Sequence, residues 1–326
     1  MQIIKVENNW NPKVLRIELN IGNICNYKCW YCFPGSNEGN YKFPNIDTLK
    51  KNIPHLINYY KKHLGKEIFE IDFVGGEPTH WPKLLDFIKF LKENFNCLIT
   101  MTSNGSKKIE WWANAAKYFD RVTLSCHHQY VNKEDFRNVA DLLYKHNVLI
   151  STSVMMDPNE WDKCVELVNY LKKSKHRWTI RYADIIGHNI SYSEKQLRIL
   201  KKYRARRANI FWFLKNNKYY VSRVKVTDSL GKKHNLKENE IILKNLNEFT
   251  GWKCNVGIDW IVINMDGTMS GTCGQTLFNL NRNFNFYTED LTHVFSPELV
   301  PSVCTRFKCN CTLESNMKKV IPIYES

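Results

Sequence analysis

The apolar residues between Val14 and Ala183 switch repeatedly between a period of two and a period near 3.6. Val14 to Ile21 alternates Leu15, Ile17 and Leu19 with Arg16, Glu18 and Asn20, which predicts a strand with one wet face. From Asp47, read as a cap, Leu49, Ile53, Ile57, Tyr60 and Leu64 recur at helical spacing up to Gly65, with Pro54 expected to kink the helix. Ile68 to Val74 is a second strand, and Pro82 opens a helix carrying Leu84, Phe87, Ile88, Leu91 and Phe95 on one face. The pattern then repeats: strand Cys97 to Ser103, ending at Asn104-Gly105; helix Ile109 to Tyr118; strand Arg121 to Cys126; helix near Glu134 to Lys145; strand Val148 to Met155. Asp157-Pro158 reads as the cap and first residue of a further helix, and a sixth strand follows at Arg177 to Ala183.

Six strands alternating with helices predict an α/β chain with a parallel sheet. Parallel strands covered on both faces read as continuous apolar runs. These do not: Glu70 and Asp72 oppose Phe69, Ile71 and Phe73, Thr100 and Thr102 oppose Ile99 and Met101, and Arg181 sits between Ile180 and Tyr182. A partly open (β/α)6 TIM-like barrel, helices outside and a polar lumen inside, meets both demands. This barrel is expected over residues 1–190.

The remainder has another character. Ser193 and Gln196 form a capping box on a basic helix, Tyr219 to Val226 reads as a strand, and Leu230-Gly231 turns it. Residues 191–250 are taken as a basic linker or insertion. Residues 251–326 read as a small Cys-rich α+β domain, in which Cys254 and Cys273 bracket a hairpin with Ile258 to Ile263 as one arm and Asp266-Gly267 as its turn. The formal charge of +15 predicts an acidic partner, and between Lys195 and Lys233 thirteen Lys and Arg face the single acid Asp228. No apolar run long enough to span a membrane occurs, and the first residues lack a signal-peptide pattern, so the expected location is cytoplasmic, without a membrane partner. There the eleven cysteines are expected to be reduced, eight of them offered to metal.

Three of those eight, Cys25, Cys29 and Cys32, lie in one loop after the first barrel strand. A closed zinc site or a fully protein-ligated iron–sulfur cube takes four protein ligands, so three in a tight loop suggest a cube with one open iron; a zinc knuckle is the alternative. Gly75-Gly76-Glu77-Pro78 ends the second strand, where two glycines permit close backbone approach and the proline stops the strand. The Cys-x3-Cys-x2-Cys loop with aromatic Tyr31 before its last cysteine, together with this second motif, resembles the radical S-adenosylmethionine (radical SAM) superfamily.

That resemblance implies a [4Fe-4S] cluster on Cys25, Cys29 and Cys32, with S-adenosyl-L-methionine chelated to the open iron and cleaved to a 5'-deoxyadenosyl radical. It places the cofactor's amino group at Gly75, Gly76 and Glu77, its adenine along the backbone of Tyr31, and its ribose or carboxylate at Asn104 and Ser125. Arg181 either joins Glu18, Glu70 or Asp72 in a buried network or meets the cofactor carboxylate. His127 and His128 follow a strand, so at most one is expected to face the site. Cys126 should point outward, and Cys97 and Cys164 into the core. The C-terminal cysteines Cys254, Cys273, Cys304, Cys309 and Cys311 resemble a SPASM or twitch auxiliary domain, which implies a second [4Fe-4S] cluster on four of the five; a zinc ribbon is the alternative.

The implied function is an enzyme that abstracts hydrogen from a peptide or protein, oxidatively, with flavodoxin or ferredoxin as reductant. A nucleobase or nucleic-acid modifier is the second reading, drawn from the basic segment and its interleaved Phe211, Trp212, Phe213, Tyr219 and Tyr220. A non-enzymatic electron carrier is the third, and it has no use for the Gly-Gly-Glu-Pro motif.

Overall fold

The alternating runs up to Met155 become strands close to the expected length, with helices between them, while the arm expected from Ile258 is a strand only over Trp260–Ile263. A computed structural model describes residues 2–8, 11–174, 179–185, 188, 190–203, 223–237, 240–270, 284–293, 300–309 and 317–322. β1 (Ile3–Asn8) and β2 (Val14–Asn20) come first, then α1 (Ile46–Leu64), β3 (Ile68–Val74), α2 (Leu84–Asn94), β4 (Cys97–Ser103), α3 (Ile109–Ala115), β5 (Arg121–Cys126), α4 (Lys133–Lys145), β6 (Leu149–Met155), α5 (Trp161–Leu171) and β7 (Thr179–Ala183). α6 (Glu194–Tyr203), β8 (Arg223–Asp228), β9 (Lys233–Lys237) and α7 (Glu240–Leu243) follow, and then β10 (Lys253–Cys254), β11 (Trp260–Ile263), β12 (Met269–Ser270), β13 (Ser302–Val303) and β14 (Lys319–Val320).

Local chemistry explains the boundaries, including those the sequence misplaced. Asn45, not Asp47, caps α1: its side-chain oxygen accepts the N–H groups of Asp47 at 2.8 Å and Thr48 at 3.3 Å. Gly65 closes the same helix in the left-handed region, and the helix runs unbroken past Pro54. α5 starts at Trp161 rather than at Pro158, because Asp157 binds the N–H of Asn159 at 2.9 Å in a turn before it. The capping box forms as read, Ser193 N–H to Gln196 Oε1 at 2.8 Å and Gln196 N–H to Ser193 Oγ at 3.3 Å. No helix among the described residues is long and apolar enough to cross a membrane.

The chain divides into two compact units. The first comprises Met1–Leu19, Asn45–Glu70 and Arg206–Ser326, the second Asn20–Pro44 and Ile71–Ala205. In the first, β2 pairs in parallel with β11, which turns through Gly267 (φ +82°) into antiparallel β12. A separate antiparallel sheet takes the order β13-β10-β14-β1-β8-β9, so the N-terminal strand lies between β14 and β8. Within the same unit the buried Asn52 of α1 donates to the carbonyls of Phe286 at 2.9 Å and Glu289 at 2.8 Å and accepts the N–H of Leu291 at 3.0 Å. Lys66, 2% exposed, pairs with Asp259 at 2.8 Å and donates to the carbonyls of Pro12 and Val14.

In the second unit the later part of β3 and then β4, β5, β6 and β7 lie side by side. β4 to β7 are parallel in the described pairings, with α3, α4 and α5 in the connections. Val122, Leu124 and Cys126 of β5 are fully buried, while Thr123 and Ser125 between them are partly exposed. Register then builds the expected polar face in rows, Thr123 beside Ser151 and Thr179, and Ser125 beside Ser153 and Arg181. The fold is an α/β arrangement with a parallel sheet, as the alternation required.

Candidate functional site

The candidate site in the second unit is built from the cysteine loop and the loops that follow β3, β4, β5 and β6, with Arg181 mid-strand on β7. The cysteine loop is fixed from below by the Gly-Gly-Glu-Pro turn. Gly76 N–H donates to the Gly22 carbonyl at 2.9 Å and Glu77 N–H to the Ile24 carbonyl at 2.8 Å. A Cβ on Gly75 would stand 2.4 Å from the Gly22 oxygen, and one on Gly76 2.3 Å from the Ile24 oxygen. The close approach these glycines permit is therefore taken up by the backbone of the cysteine loop itself, and no side chain fits at either position.

Glu77, 1% exposed, ties the same turn to the end of β4. Its Oε1 accepts Thr79 N–H at 3.2 Å, Thr79 Oγ1 at 2.7 Å and Ser103 Oγ at 2.7 Å, and its Oε2 accepts Asn104 N–H at 2.6 Å. Asn104 carries the connection back to the loop: Nδ2 donates to Asn26 Oδ1 at 2.9 Å and stands 3.9 Å from Cys25 Sγ, while Oδ1 accepts Ser106 N–H at 2.9 Å. Asn26 in turn donates to Ser106 Oγ at 3.0 Å. Sequence reasoning put Asn104 at the site but overlooked Asn26, whose only signal was its place between Cys25 and Cys29. A cavity of about 350 Å³ opens beside this corner, lined by Tyr27, Asn104, Ser106, Lys107, Lys108 and Tyr130 among others.

Aromatic packing secures the other half of the loop. Tyr27 stacks on Tyr130 at 4.9 Å, and the Tyr130 hydroxyl donates to the Lys28 carbonyl at 2.9 Å. Cys29, Tyr31 and Ile185 form a buried apolar group, with Tyr27, Cys32, Met155 and Ile190 packed on it. Trp30 Nε1 donates to Asp157 Oδ2 at 3.0 Å, and His188 Nε2 meets the Cys32 carbonyl at 3.1 Å. Asp157 is thus buried against the loop instead of capping a helix.

The histidine expectation fails. Both rings stack on Tyr31, His127 at 5.8 Å and His128 at 6.0 Å, because the strand stops at Cys126 and alternation no longer governs the residues beyond it. The Tyr31 hydroxyl stands 3.3 Å from His127 Nδ1, and His128 Nε2 stands 3.8 Å from Asp157 Oδ2. Burial lowers the pKa of His127 to about 4, with His128 adding to the effect. Arg181 donates to Ser151 Oγ at 3.0 Å, while Arg121, which the sequence did not single out, is the base beside Asp72 at 4.0 Å. Arg16 takes Glu70 at 2.8 Å. Ser125 lies on the polar face beside Ser153; Cys97 and Cys164 are buried as expected, and Cys126, on the face of β5 opposite Ser125, is fully buried as well.

Burial raises the pKa of all three loop thiols, that of Cys29 to about 12, so each is a neutral thiol until a cation replaces its proton. Cys25 Sγ already accepts the Tyr27 N–H at 3.3 Å. Among the described residues no three His, Cys, Asp or Glu are gathered as one metal ion would hold them; tetrahedral zinc would bring its sulfurs to about 3.8 Å from one another. Thiolates of an iron–sulfur cube bind different irons and stand wider apart. Buried Cys29 and half-buried Cys25 and Cys32, on a loop clamped from both sides, are donors of the kind such a cube takes.

In the first unit Cys254 lies on β10, opposite Ser302 of β13. Cys304 exchanges backbone hydrogen bonds of 2.8 Å with Gly251 and Trp252, and Cys309 is held at both backbone groups by Asn247. Cys304 and Cys309 share an apolar cluster with Ile3, Val6, Phe249 and Trp252. Cys273 and Cys311 lie outside the described residues, as do Arg204, Arg206, Arg207, Lys215 and Lys218 of the basic segment and all five of its interleaved aromatics.

Residues 19–148 match the family model described as the radical SAM superfamily. An S-adenosylmethionine-dependent nucleotide dehydratase of a Thermoplasmatales archaeon (strain ISO4-H5) is 27% identical over 160 residues, 44% of this chain and 54% of that protein. A GTP 3',8-cyclase of Pectobacterium atrosepticum is 24% identical over 184 residues, 51% of this chain and 53% of that protein. The chain thus spans about half the length of these relatives. Among solved structures, anSMEcpe with bound AdoMet superposes with a TM-score of 0.53 at 17% identity, covering 88% of this chain and 82% of the other. Streptococcus suis SuiB bound to its precursor peptide SuiA gives 0.50 at 18%, covering 86% and 64%. These likenesses show the fold.

Proposed function

We propose, for a chain whose residues 19–148 match the radical SAM superfamily model, that it is a radical SAM enzyme that abstracts a hydrogen atom from its substrate. The observation that carries this reading is the clamp between the cysteine loop and the Gly-Gly-Glu-Pro turn, two backbone bonds of 2.9 and 2.8 Å that leave no room for a side chain. Cys25, Cys29 and Cys32 would hold a [4Fe-4S] cluster, and Asn104, Ser125, Arg181 and the backbone of Gly75, Gly76 and Tyr31 would receive S-adenosylmethionine. Cluster and cofactor together supply the electron and the 5'-deoxyadenosyl radical. The chain's own part is to orient and to exclude water. Tyr31, 4% exposed, and the apolar group around it cover the Cys29 side of the loop, while Tyr27 and Asn104 wall the cavity beside Cys25.

For the substrate, a nucleotide is the better supported class. The relatives named for nucleotide chemistry reach 24–27% identity over 160 and 184 residues, and the formal charge of +15 suits a phosphorylated molecule. A peptide is the second reading, favoured by fold likeness to anSMEcpe with a bound peptide and to SuiB with SuiA. The C-terminal cysteines, Cys254 and Cys304 on neighbouring backbone and Cys309 in the same apolar cluster, are proposed with Cys273 and Cys311 as the ligands of an auxiliary [4Fe-4S] cluster. The enzyme would work in the cytoplasm with a flavodoxin- or ferredoxin-type reductant.

Anaerobic reconstitution tests this. The wild-type chain should bind about eight irons with the auxiliary cluster and about four without it. It should form 5'-deoxyadenosine from S-adenosylmethionine under reduction, faster with substrate present. Changing Cys25, Cys29 and Cys32 to Ala must abolish that product, and its persistence would sink the assignment. Nucleoside triphosphates and acidic peptides, offered separately, decide the substrate by which one accelerates cleavage.

A further inference from the structure

The cavity beside Cys25 has a lining in which most side chains play no part in holding the cysteine loop. It holds about 350 Å³ and lies among the loops after β4 and β5 and the first turns of α3 and α4. Its apolar part is Phe136 and Val139 of α4, each 2% exposed, and the half-exposed ring of Tyr130 joins them. Charge surrounds that part. Lys107 is half-buried and Lys108 exposed, and neither ammonium makes a hydrogen bond or an ion pair among the described residues. Lys108 takes the cap position of α3, where Ser, Thr, Asp or Asn would serve the helix, and makes no capping hydrogen bond. Neither lysine is accounted for by the local fold. Glu110 and Asp135 also line the cavity, and their carboxylates have no hydrogen-bonded or ion-paired partner among the described residues.

One cavity thus offers two adjacent cations, acceptors for N–H or O–H groups, and an apolar and aromatic wall for a flat ring. A nucleoside phosphate has the complement of all three. Ammonium groups hold phosphate as point charges, a carboxylate accepts from a base amino group, and bases lie on aromatic side chains. Resting on the reading that the substrate is a nucleotide, we propose that this cavity is where it binds: base and sugar against Phe136, Val139 and Tyr130, a donor group of the base on Asp135, and the phosphates on Lys107 and Lys108. The volume is at the small end of ligand sites, so the phosphates rest outside it on the lysines. Asn104 walls the same cavity and stands 3.9 Å from Cys25 Sγ. A nucleotide seated here lies against the corner at which the cofactor is placed.

The test is calorimetric titration of the cluster-loaded full-length chain with ATP, GTP, CTP and UTP, their nucleosides, pyrophosphate and methionine as separate probes. At least one triphosphate should bind, and its nucleoside and pyrophosphate should each bind roughly tenfold or more weakly, because each keeps only part of the contacts. Lys107→Ala and Lys108→Ala should each weaken that triphosphate by about 10- to 100-fold, the effect of one charge-assisted contact. Glu110→Gln, which removes a like charge, should strengthen it. The triphosphate concentration that half-saturates stimulation of S-adenosylmethionine cleavage should rise in the lysine variants by the same factor. If an Ala variant does not load iron, Lys107→Gln and Lys108→Gln decide in its place. Methionine binding that depends on the lysines, with triphosphate binding indifferent to them, gives the cavity to an amino acid and overturns the proposal. A triphosphate that stimulates cleavage with an affinity indifferent to both lysines overturns the site and leaves the nucleotide reading standing, whereas a wild-type chain that binds no triphosphate overturns both.

Discussion

Replacing Glu77 by Gln separates two roles for the carboxylate in the Gly-Gly-Glu-Pro turn. The group is 1% exposed and receives four hydrogen bonds, three on Oε1 and one, from Asn104 N–H at 2.6 Å, on Oε2. Gln is nearly isosteric but can keep only one acceptor oxygen. Its least costly placement leaves the carbonyl among the three donors and points the amide nitrogen at the Asn104 N–H, donor against donor. The loss is then one charge-assisted bond, about 1.5–3 kcal/mol, plus a buried N–H without an acceptor, about 1–3 kcal/mol. A net destabilisation of about 3–5 kcal/mol results, a large share of the roughly 5–15 kcal/mol that holds a domain folded. Urea unfolding of the reduced chain, followed by circular dichroism, should show the midpoint falling at constant slope. The end of β4 and the cysteine loop are then held less firmly, so cluster loading should fall in parallel. The reasoning fails if Glu77→Gln unfolds within about 1 kcal/mol of wild type yet loses S-adenosylmethionine binding. That outcome would give the carboxylate to the cofactor and not to the loop.

Gly76→Ala forces a methyl group to within 2.3 Å of the Ile24 carbonyl oxygen, which is backbone and has little freedom to retreat. It should cost about 1–3 kcal/mol and reduce iron loading, whereas Gly35→Ala, at φ +83° with open space around it, should cost only about 1–2 kcal/mol and leave loading intact; equal loading in the two variants would count against the clamp. Because the folded pKa of His127 is lowered to about 4, the unfolded chain binds the extra proton first. Stability is thus unaffected above about pH 6.5 and falls between there and pH 4, by on the order of 3 kcal/mol, and His127→Phe should flatten that part of the pH–stability curve. Asn52→Ala strips three backbone groups of the segment 286–291 of their buried partner. A loss of about 3 kcal/mol or more is expected in the same unfolding assay, and a loss under 1 kcal/mol would contradict the packing described.

What the sequence made legible was whatever depends on near neighbours. β3, β4 and β5 begin and end where the alternation does, because a seven- or six-residue run with one wet face contains its own register. β10, β13 and β14 are two residues each, too short to carry a period, and β1 is fixed by pairing with β8 and β14, more than 200 residues away in the chain. The same division runs through the site. Cys25, Cys29 and Cys32 announce themselves by spacing, but their supports come from far off: Asn104 reaches Asn26 from 78 positions away, and Asp157 reaches Trp30 from 127. Asp157-Pro158 and the histidine pair were misread for one reason, that a local rule, the helix cap in one case and strand alternation in the other, was applied where a distant partner decides the geometry. Gly75 and Gly76 show the converse. The need for a bare backbone was readable, while the identity of what approaches it, Gly22 and Ile24 from across the unit, required the folded chain. A loop built this way takes its precision from β4, β5 and β6 rather than from its own eight residues, so the substitutions that disable it should include many that never touch a cysteine.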